Sequence, residues 1–260
     1  MGRGKLGDLA NAVRLIRVDF PQRSMKVIVT GSTGLVGSAL VRECIANDHI
    51  THVFALSRRP LDRVQSFKLT VILHADFSVY QPELIARLAG AEGLPSCFRS
   101  IDKLNTAIGG RANQFPDLDT YKRVQVDYAL AAATVFRDQL APQLPEGKQF
   151  RFVLCSGKFA EWDQSQGMYS GQVEQGLCGI ADADTTERLV AYFARPSGIL
   201  PADAGLAARL SGRLYGAPFG WTIWQRPPRG FLSRTSKSES LRMRPFFRSD
   251  WVSTVSCVLE

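Results

Sequence analysis

An apolar run broken by three glycines at three-residue spacing, Val27-Ile-Val-Thr-Gly31-Ser-Thr-Gly34-Leu-Val-Gly37, constrains this chain more than any other stretch. Lys26–Thr30 has the continuous apolar character of a buried strand, and Leu35–Ile45 repeats apolar residues (Leu35, Ala39, Leu40, Ile45) on one helical face. A second apolar strand is predicted to begin at His52–Leu56. A strand, a glycine-rich turn and a helix in that order predict a dinucleotide-binding βαβ unit. Gly31 lets the chain leave the strand in a tight turn, Gly34 admits a pyrophosphate to the backbone N–H groups, and Gly37 lets the helix pack on the sheet. The helix N-terminus adds the positive end of its dipole.

The second strand ends at Ser57-Arg58-Arg59. A carboxylate at that place accepts the 2′-hydroxyl of an NAD-type ribose, whereas a guanidinium holds a 2′-phosphate bidentately. Arg58 and Arg59 therefore predict NADP(H).

The rest of the chain keeps the rhythm of a Rossmann-type, doubly wound parallel α/β sheet. Val71–Leu73 leads into His74-Ala75-Asp76-Phe77, a third strand ending in a carboxylate, and Pro82–Leu88 has a proline in the first turn of a helix. The fourth strand should end at Ala107-Ile108-Gly109-Gly110, but residues 93–106 carry Pro95, Arg99, Asp102 and Lys103. Either the strand is very short or an insertion disturbs it. Asp119–Gln139 is a long helix by its apolar spacing, Phe150–Cys155 a fifth strand, Gln172–Ala181 a helix, and Leu189–Ala194 a sixth strand closing at Arg195-Pro196-Ser197-Gly198. Residues 225–260 are rich in Arg, Ser and Pro without a sustained period. The expected organisation is an extension over residues 1–24, a single domain over 25–215, and an irregular, poorly ordered tail over 216–260.

Charge narrows the possible partners. The chain of 260 residues has a net charge of +8. Residues 1–24 hold five Lys/Arg against two Asp/Glu and residues 225–260 seven against three, which leaves +1 for the 200 residues between. A folded surface that bound nucleic acid would carry that charge itself, so no nucleic-acid partner is expected. No apolar run reaches bilayer length and the N-terminus lacks the apolar core of a signal peptide, which predicts a soluble cytoplasmic protein with no membrane partner. Five scattered cysteines suggest neither disulfides nor zinc. His49 and His52, three apart with no third ligand nearby, are expected in a turn and not at a metal. The sequence says nothing of oligomeric state.

Together these landmarks resemble the atypical, extended short-chain dehydrogenase/reductases, and within them the Tat-interacting-protein-like oxidoreductases. Thr30-Gly-Ser-Thr-Gly-Leu-Val-Gly37 is similar to their glycine motif, Ser57-Arg58-Arg59 to their NADP-selecting end, and Asp76-Phe77 to their adenine-side pair. Tyr121-Lys-Arg-Val-Gln-Val-Asp-Tyr128 resembles their central helix, Cys155-Ser-Gly-Lys158 the strand with the active-site serine, and Arg195-Pro-Ser-Gly198 the loop near the nicotinamide. The match covers about residues 25–215. It implies a cofactor site of Gly31, Ser32, Thr33, Gly34, Leu35, Val36, Gly37, Arg58, Arg59, Asp76, Phe77 and Gly109, and reduction of a ketone or aldehyde as the small-molecule substrate.

Catalysis in that superfamily uses a tyrosine as proton donor, a lysine four residues later that lowers its pKa, and a serine that hydrogen-bonds the carbonyl oxygen. A phenol of pKa about 10 needs such a cation to work at neutral pH. Ser156 matches the serine and Tyr169 is the nearby tyrosine, but Val173 stands where the lysine belongs. Gly171-Gln-Val-Glu174 resembles the sequence after that lysine, which would put Ser170 in its place and Gln166 in the tyrosine's. Three readings stay open: Lys158 or Lys122 supplies the cation, the protein binds NADP(H) without turnover, or the chain is an altered version of an active relative.

Overall fold

The computed structural model describes residues 25–89, 103–110, 112–157, 169–196 and 221–225. The extension over 1–24, most of the polar 93–106 segment, Lys158, Gln166, Ser197, Gly198 and the tail beyond Gln225 lie outside the described residues.

β1 (Met25–Thr30) is buried along its whole length, which is why its centre, Val27-Ile28-Val29, is an apolar run instead of an alternation. It is followed by α1 (Leu35–Ala46), β2 (Ile50–Ser57), β3 (Leu69–Leu73), α2 (Pro82–Ala89) and β4 (Lys103–Thr106). A helix then starts as α3 (Leu118–Lys122), passes through one π turn at Arg123–Asp127, and continues as α4 (Tyr128–Gln139). β5 (Phe150–Cys155), α5 (Tyr169–Ala183), β6 (Leu189–Pro196) and β7 (Trp221–Gln225) complete the order.

The sheet runs β3-β2-β1-β4-β5-β6-β7. The first six strands are parallel, and only β7 runs antiparallel, beside β6. This is the doubly wound order in which the connection reverses between β1 and β4, leaving a crevice at their carboxyl ends. Successive residues of β1 serve opposite faces. Val27 and Val29 pack with Leu40, Val41 and Cys44 of α1, while Ile28 belongs to the core that α2, α4 and α5 cover. Phe54, Phe136, Phe150, Phe152 and Phe193 are fully buried in that second core, each contributing about 1.5–3 kcal/mol. α5 lies tightly on α4, since a Cβ on Gly176 would sit 2.7 Å from Leu130.

Several expectations are corrected. β3 stops at Leu73, and His74–Phe77 is loop because the Asp76 carboxylate turns the chain by accepting hydrogen bonds from Ser78. β4 is the short strand of the two alternatives, four residues long. α5 begins three residues before the predicted Gln172. Trp221–Gln225 falls in the stretch expected to be irregular, yet it is a strand whose partners come from β6. His52 sits inside β2 and not in a turn, with its Nε2 2.8 Å from Thr70 Oγ1. Among the described residues no group of three or more side chains could hold a metal, and no helix is long and apolar enough to cross a membrane.

Candidate cofactor and active site

The three glycines of the turn are glycines for different reasons. Gly31 has φ +71°, and a Cβ there would lie 2.4 Å from the carbonyl oxygen of Ala107, where the loop after β4 crosses the turn. On Gly37 a Cβ would lie 2.0 Å from the carbonyl oxygen of Gly31. Both positions are closed by the protein itself. Gly34 has ordinary extended dihedrals, and its Cβ would approach nothing nearer than the Gly31 oxygen at 3.3 Å. A Cβ at Gly34 would need that oxygen to give by a few tenths of an ångström, so the protein closes this position least of the three.

Gly34 is also the N-cap of α1, with no side-chain cap and no acidic residue in the first turn. The N–H groups of that turn have no intrahelical acceptor, and the dipole makes them a seat for an anion. Ser32 is 2% exposed and its Oγ has no hydrogen-bond partner among the described residues. A buried hydroxyl without a partner costs about 1–3 kcal/mol, which a ligand oxygen at the turn would recover. Thr33 and Leu35 are exposed beside it and Val36 is half-buried. These residues fit a dinucleotide pyrophosphate.

A cavity of about 520 Å³ runs from this turn along α1 to the segment after β2, and Ser32, Thr33 and Arg59 line it. Arg58 is exposed but is not among its lining residues. Asp76 Oδ1 accepts from Ser78 N at 2.9 Å and Ser78 Oγ at 2.6 Å, and the Ser78 hydroxyl above all holds the Asp76 carboxyl below the usual carboxylate range. Phe77 is 3% exposed, its ring against His74 and Tyr128, so the ring itself faces the core. Gly109 lies exposed with φ +153°, and Gln125 of the π turn anchors its loop by donating to the Gly110 carbonyl at 2.6 Å.

At the carboxyl end of β5 the side chains are paired with one another. Ser156 Oγ donates to Glu174 Oε1 at 2.6 Å, and Arg195 Nε donates to the same oxygen at 2.9 Å. Arg195 Nη2 binds Glu174 Oε2, so the guanidinium holds the carboxylate with both arms. Glu174 is wholly buried and the Arg195 side chain 11% exposed. A charge so deep is tolerable only when paired in this way. With its proton given to Glu174, Ser156 offers a ligand its lone pairs. Burial pushes the Cys155 thiol next to it up to about 12, which keeps that sulfur protonated and unreactive.

Tyr169 has other neighbours. Its ring packs on Tyr121 at 5.4 Å, and Tyr121 in turn packs on Phe115 at 5.3 Å. Tyr169 and Glu174 are five residues apart on α5, about 140° around the helix. Position 170 is one turn from Glu174 on the same side. Val173 is 3% exposed in the core, and Lys122 is half-buried on α3. The structure thus joins Ser156 to Glu174 and Arg195, which the sequence reading quoted in separate motifs and did not pair, and joins Tyr169 to an aromatic stack. One signal was available for the missed pair, since an arginine ends the apolar strand β6 and a lone glutamate interrupts the buried face of α5.

No family model matches the chain. Among curated proteins, the leucinostatins biosynthesis cluster protein T of Purpureocillium lilacinum is 36% identical over 70 residues, covering 26% of this chain and 26% of that protein. The chain therefore matches about a quarter of that relative's length. Among solved structures, the nucleoside-diphosphate-sugar epimerase from Agrobacterium tumefaciens is similar with TM-score 0.50 and 16% identity, over 71% of this chain and 56% of that one. The carbonyl reductase Sniffer of Caenorhabditis elegans follows with TM-score 0.49 and 13% identity, over 65% and 82%. What the chain shares with the epimerase is the fold, the Rossmann-type α/β sheet that the strand order already defines. A shared fold of this kind hosts many chemistries.

Proposed function

We propose that the protein binds NADP(H) and acts as a cytoplasmic short-chain-dehydrogenase-type oxidoreductase, of the Tat-interacting-protein-like branch its motifs resemble, that reduces a ketone or aldehyde. The observation that carries this reading is the turn itself, where Gly31 and Gly37 are closed by backbone and Gly34 much less so, while Ser32 and Thr33 line the cavity that runs to Arg59. The turn of residues 31–37 would hold the pyrophosphate, and Arg59 the ribose phosphate. The bound nicotinamide supplies the hydride. Ser156, at the carboxyl edge of the sheet, would orient the substrate oxygen. To donate to a carbonyl it turns its proton away from Glu174, and Arg195 keeps the carboxylate paired meanwhile.

A second reading, an NADP(H)-binding protein without turnover, is favoured by one observation: α5 contains no lysine, and Tyr169 stands on a different side of it from Glu174. Calorimetry with NADPH and NADH, followed by NADPH oxidation over a panel of ketones, aldehydes and quinones, tests both readings. Tighter NADPH binding with turnover supports the reductase. Equal affinity for the two cofactors removes the NADP assignment, and NADPH binding with no oxidation of any substrate moves the assignment to the non-catalytic binder.

A further inference from the structure

The cavity beside α1 is lined by three arginines from two elements. Arg42 belongs to α1, while Arg59 and Arg63 belong to the segment after β2, and one carboxylate, Asp62, stands among them. Gly34, Ser38 and Arg42 follow one another at four-residue spacing, so they form a single stripe down α1 that begins at the helix N-terminus. Among the described residues no hydrogen bond or ion pair occupies the guanidinium of Arg42, Arg59 or Arg63, although other arginines of the fold, such as Arg137 and Arg188, are engaged. Ser32, whose buried Oγ is unpartnered, lines the same cavity at its turn end. One end of this space is thus formed by the turn residues Ser32 and Thr33, next to the N-terminus of α1, and the other holds a surplus of two positive charges over Asp62.

Resting on the NADP(H) reading, we infer that Arg42 and Arg63 join Arg59 as the groups that select the 2′-phosphate of the adenosine ribose, and that Arg58 is not the second ligand its position in the sequence suggests. A phosphomonoester carries about −1.5 to −2 charge at neutral pH, which matches the surplus of the cavity. Guanidinium groups grip its oxygens in a fork and remain charged at any working pH. Because Arg42 is two turns along α1, it reads the ribose from the helix side, opposite Arg59 and Arg63. That geometry selects by the place of the phosphate as well as by its charge.

The test uses fragments and requires no turnover. Adenosine 2′,5′-bisphosphate, adenosine 3′,5′-bisphosphate and 5′-AMP are titrated by calorimetry into the wild-type chain and into Arg42→Gln, Arg63→Gln, Arg58→Gln and Arg87→Gln, the last on the exposed side of α2 as a control for net charge, with circular dichroism to verify folding. The wild type is expected to bind the 2′,5′ compound about ten-fold or more tightly than 5′-AMP, the scale of one charged hydrogen bond. Arg42→Gln and Arg63→Gln should each remove most of that preference while changing 5′-AMP affinity less than about two-fold, and Arg58→Gln should lose no more than Arg87→Gln. Preference for the 3′,5′ compound, a larger loss in Arg58→Gln than in Arg42→Gln and Arg63→Gln, or an unchanged preference in those two variants overturns the inference and leaves NADPH binding standing. Failure of the wild type to bind either NADPH or the 2′,5′ compound removes the NADP(H) reading and this inference with it.

Discussion

The two halves of the sheet treat their polar groups in opposite ways. In the half built on β1, α1 and β2, a buried serine hydroxyl and three exposed guanidiniums have no protein partner among the described residues, and one glycine of the turn is closed much less than the other two. In the half built on β5, α5 and β6, the serine, the glutamate and the arginine satisfy one another, and Tyr169 is stacked on Tyr121. A buried hydroxyl left without a partner at an energetic cost, near exposed guanidiniums that no protein group engages, marks where a ligand contributes. Groups that are mutually satisfied hold a shape, and a ligand must compete with the bonds already made.

The largest effect should separate the glycines. Gly37→Val forces a side chain to within 2.0 Å of the Gly31 carbonyl oxygen, so it should cost more than about 4 kcal/mol in a urea melt, at the exceptional end for a single substitution. Gly34→Val, whose Cβ meets the Gly31 oxygen at 3.3 Å, should cost much less than Gly37→Val in the same melt and keep the circular dichroism of the fold while abolishing NADPH binding. If both variants melt alike, the difference between a closed and an open glycine disappears.

Glu174→Ala comes next. It strands Arg195 in a buried site and should destabilise the protein by about 3–5 kcal/mol, while the double replacement Glu174→Leu/Arg195→Met should recover most of that loss. Chemical denaturation of the three proteins checks it. A single variant no worse than the double would mean that the pair does little to hold this half together.

Asp184 gives a pH signature of the same half. Burial raises its pKa, but hydrogen bonds from Thr186 and from the N–H of Leu189 outweigh that and hold it below its ordinary value of 3.8. A group depressed in the folded state stabilises above its unfolded pKa, and that stability is lost as pH falls through the folded one. Stability should therefore drop below about pH 4, and Asp184→Asn should lose about 2 kcal/mol at pH 7 and flatten the acid limb. Melting curves from pH 2 to 7 distinguish the outcomes.

The smallest effect concerns Tyr169. Tyr169→Phe keeps the stack on Tyr121 and should change stability by less than about 0.5 kcal/mol, whereas Tyr169→Ala should lose about 1 kcal/mol of ring contact beyond the area term. NADPH oxidation indifferent to Tyr169→Phe but reduced by Ser156→Ala would place the chemistry on the Ser156 side. A collapse of turnover in Tyr169→Phe alone would return the proton to that phenol.

Local pattern made the nucleotide half legible. A strand buried on both faces is mostly apolar and a turn at positive φ with no room for a Cβ must be glycine, so the order strand, turn, helix, strand over residues 25–57 could be read from spacing, although the buried face of α1 is Gly37, Leu40, Val41 and Cys44 and the expected Leu35 is exposed. Even the shortness of β4 left its trace in the polarity of the residues before it. β7 left none, because five residues become an antiparallel edge strand only through the hydrogen bonds that β6 offers. Chain order likewise put Arg58 beside Arg59, although only Arg59 reaches the cavity, where Arg63 joins it from later in the same segment and Arg42 from α1.

By itself, then, the sequence determined the doubly wound βαβ frame and the glycine turn, because those follow from backbone conformation and from burial along a single segment. Tertiary structure alone decided that Ser156 donates a hydrogen bond to a carboxylate 18 residues later in the chain, that an arginine a further 21 residues on secures that carboxylate, and that Tyr169 turns to an aromatic neighbour instead. The physical reason is that a hydrogen bond or an ion pair depends on separation in space, and separation between distant segments is set by how helices and strands pack.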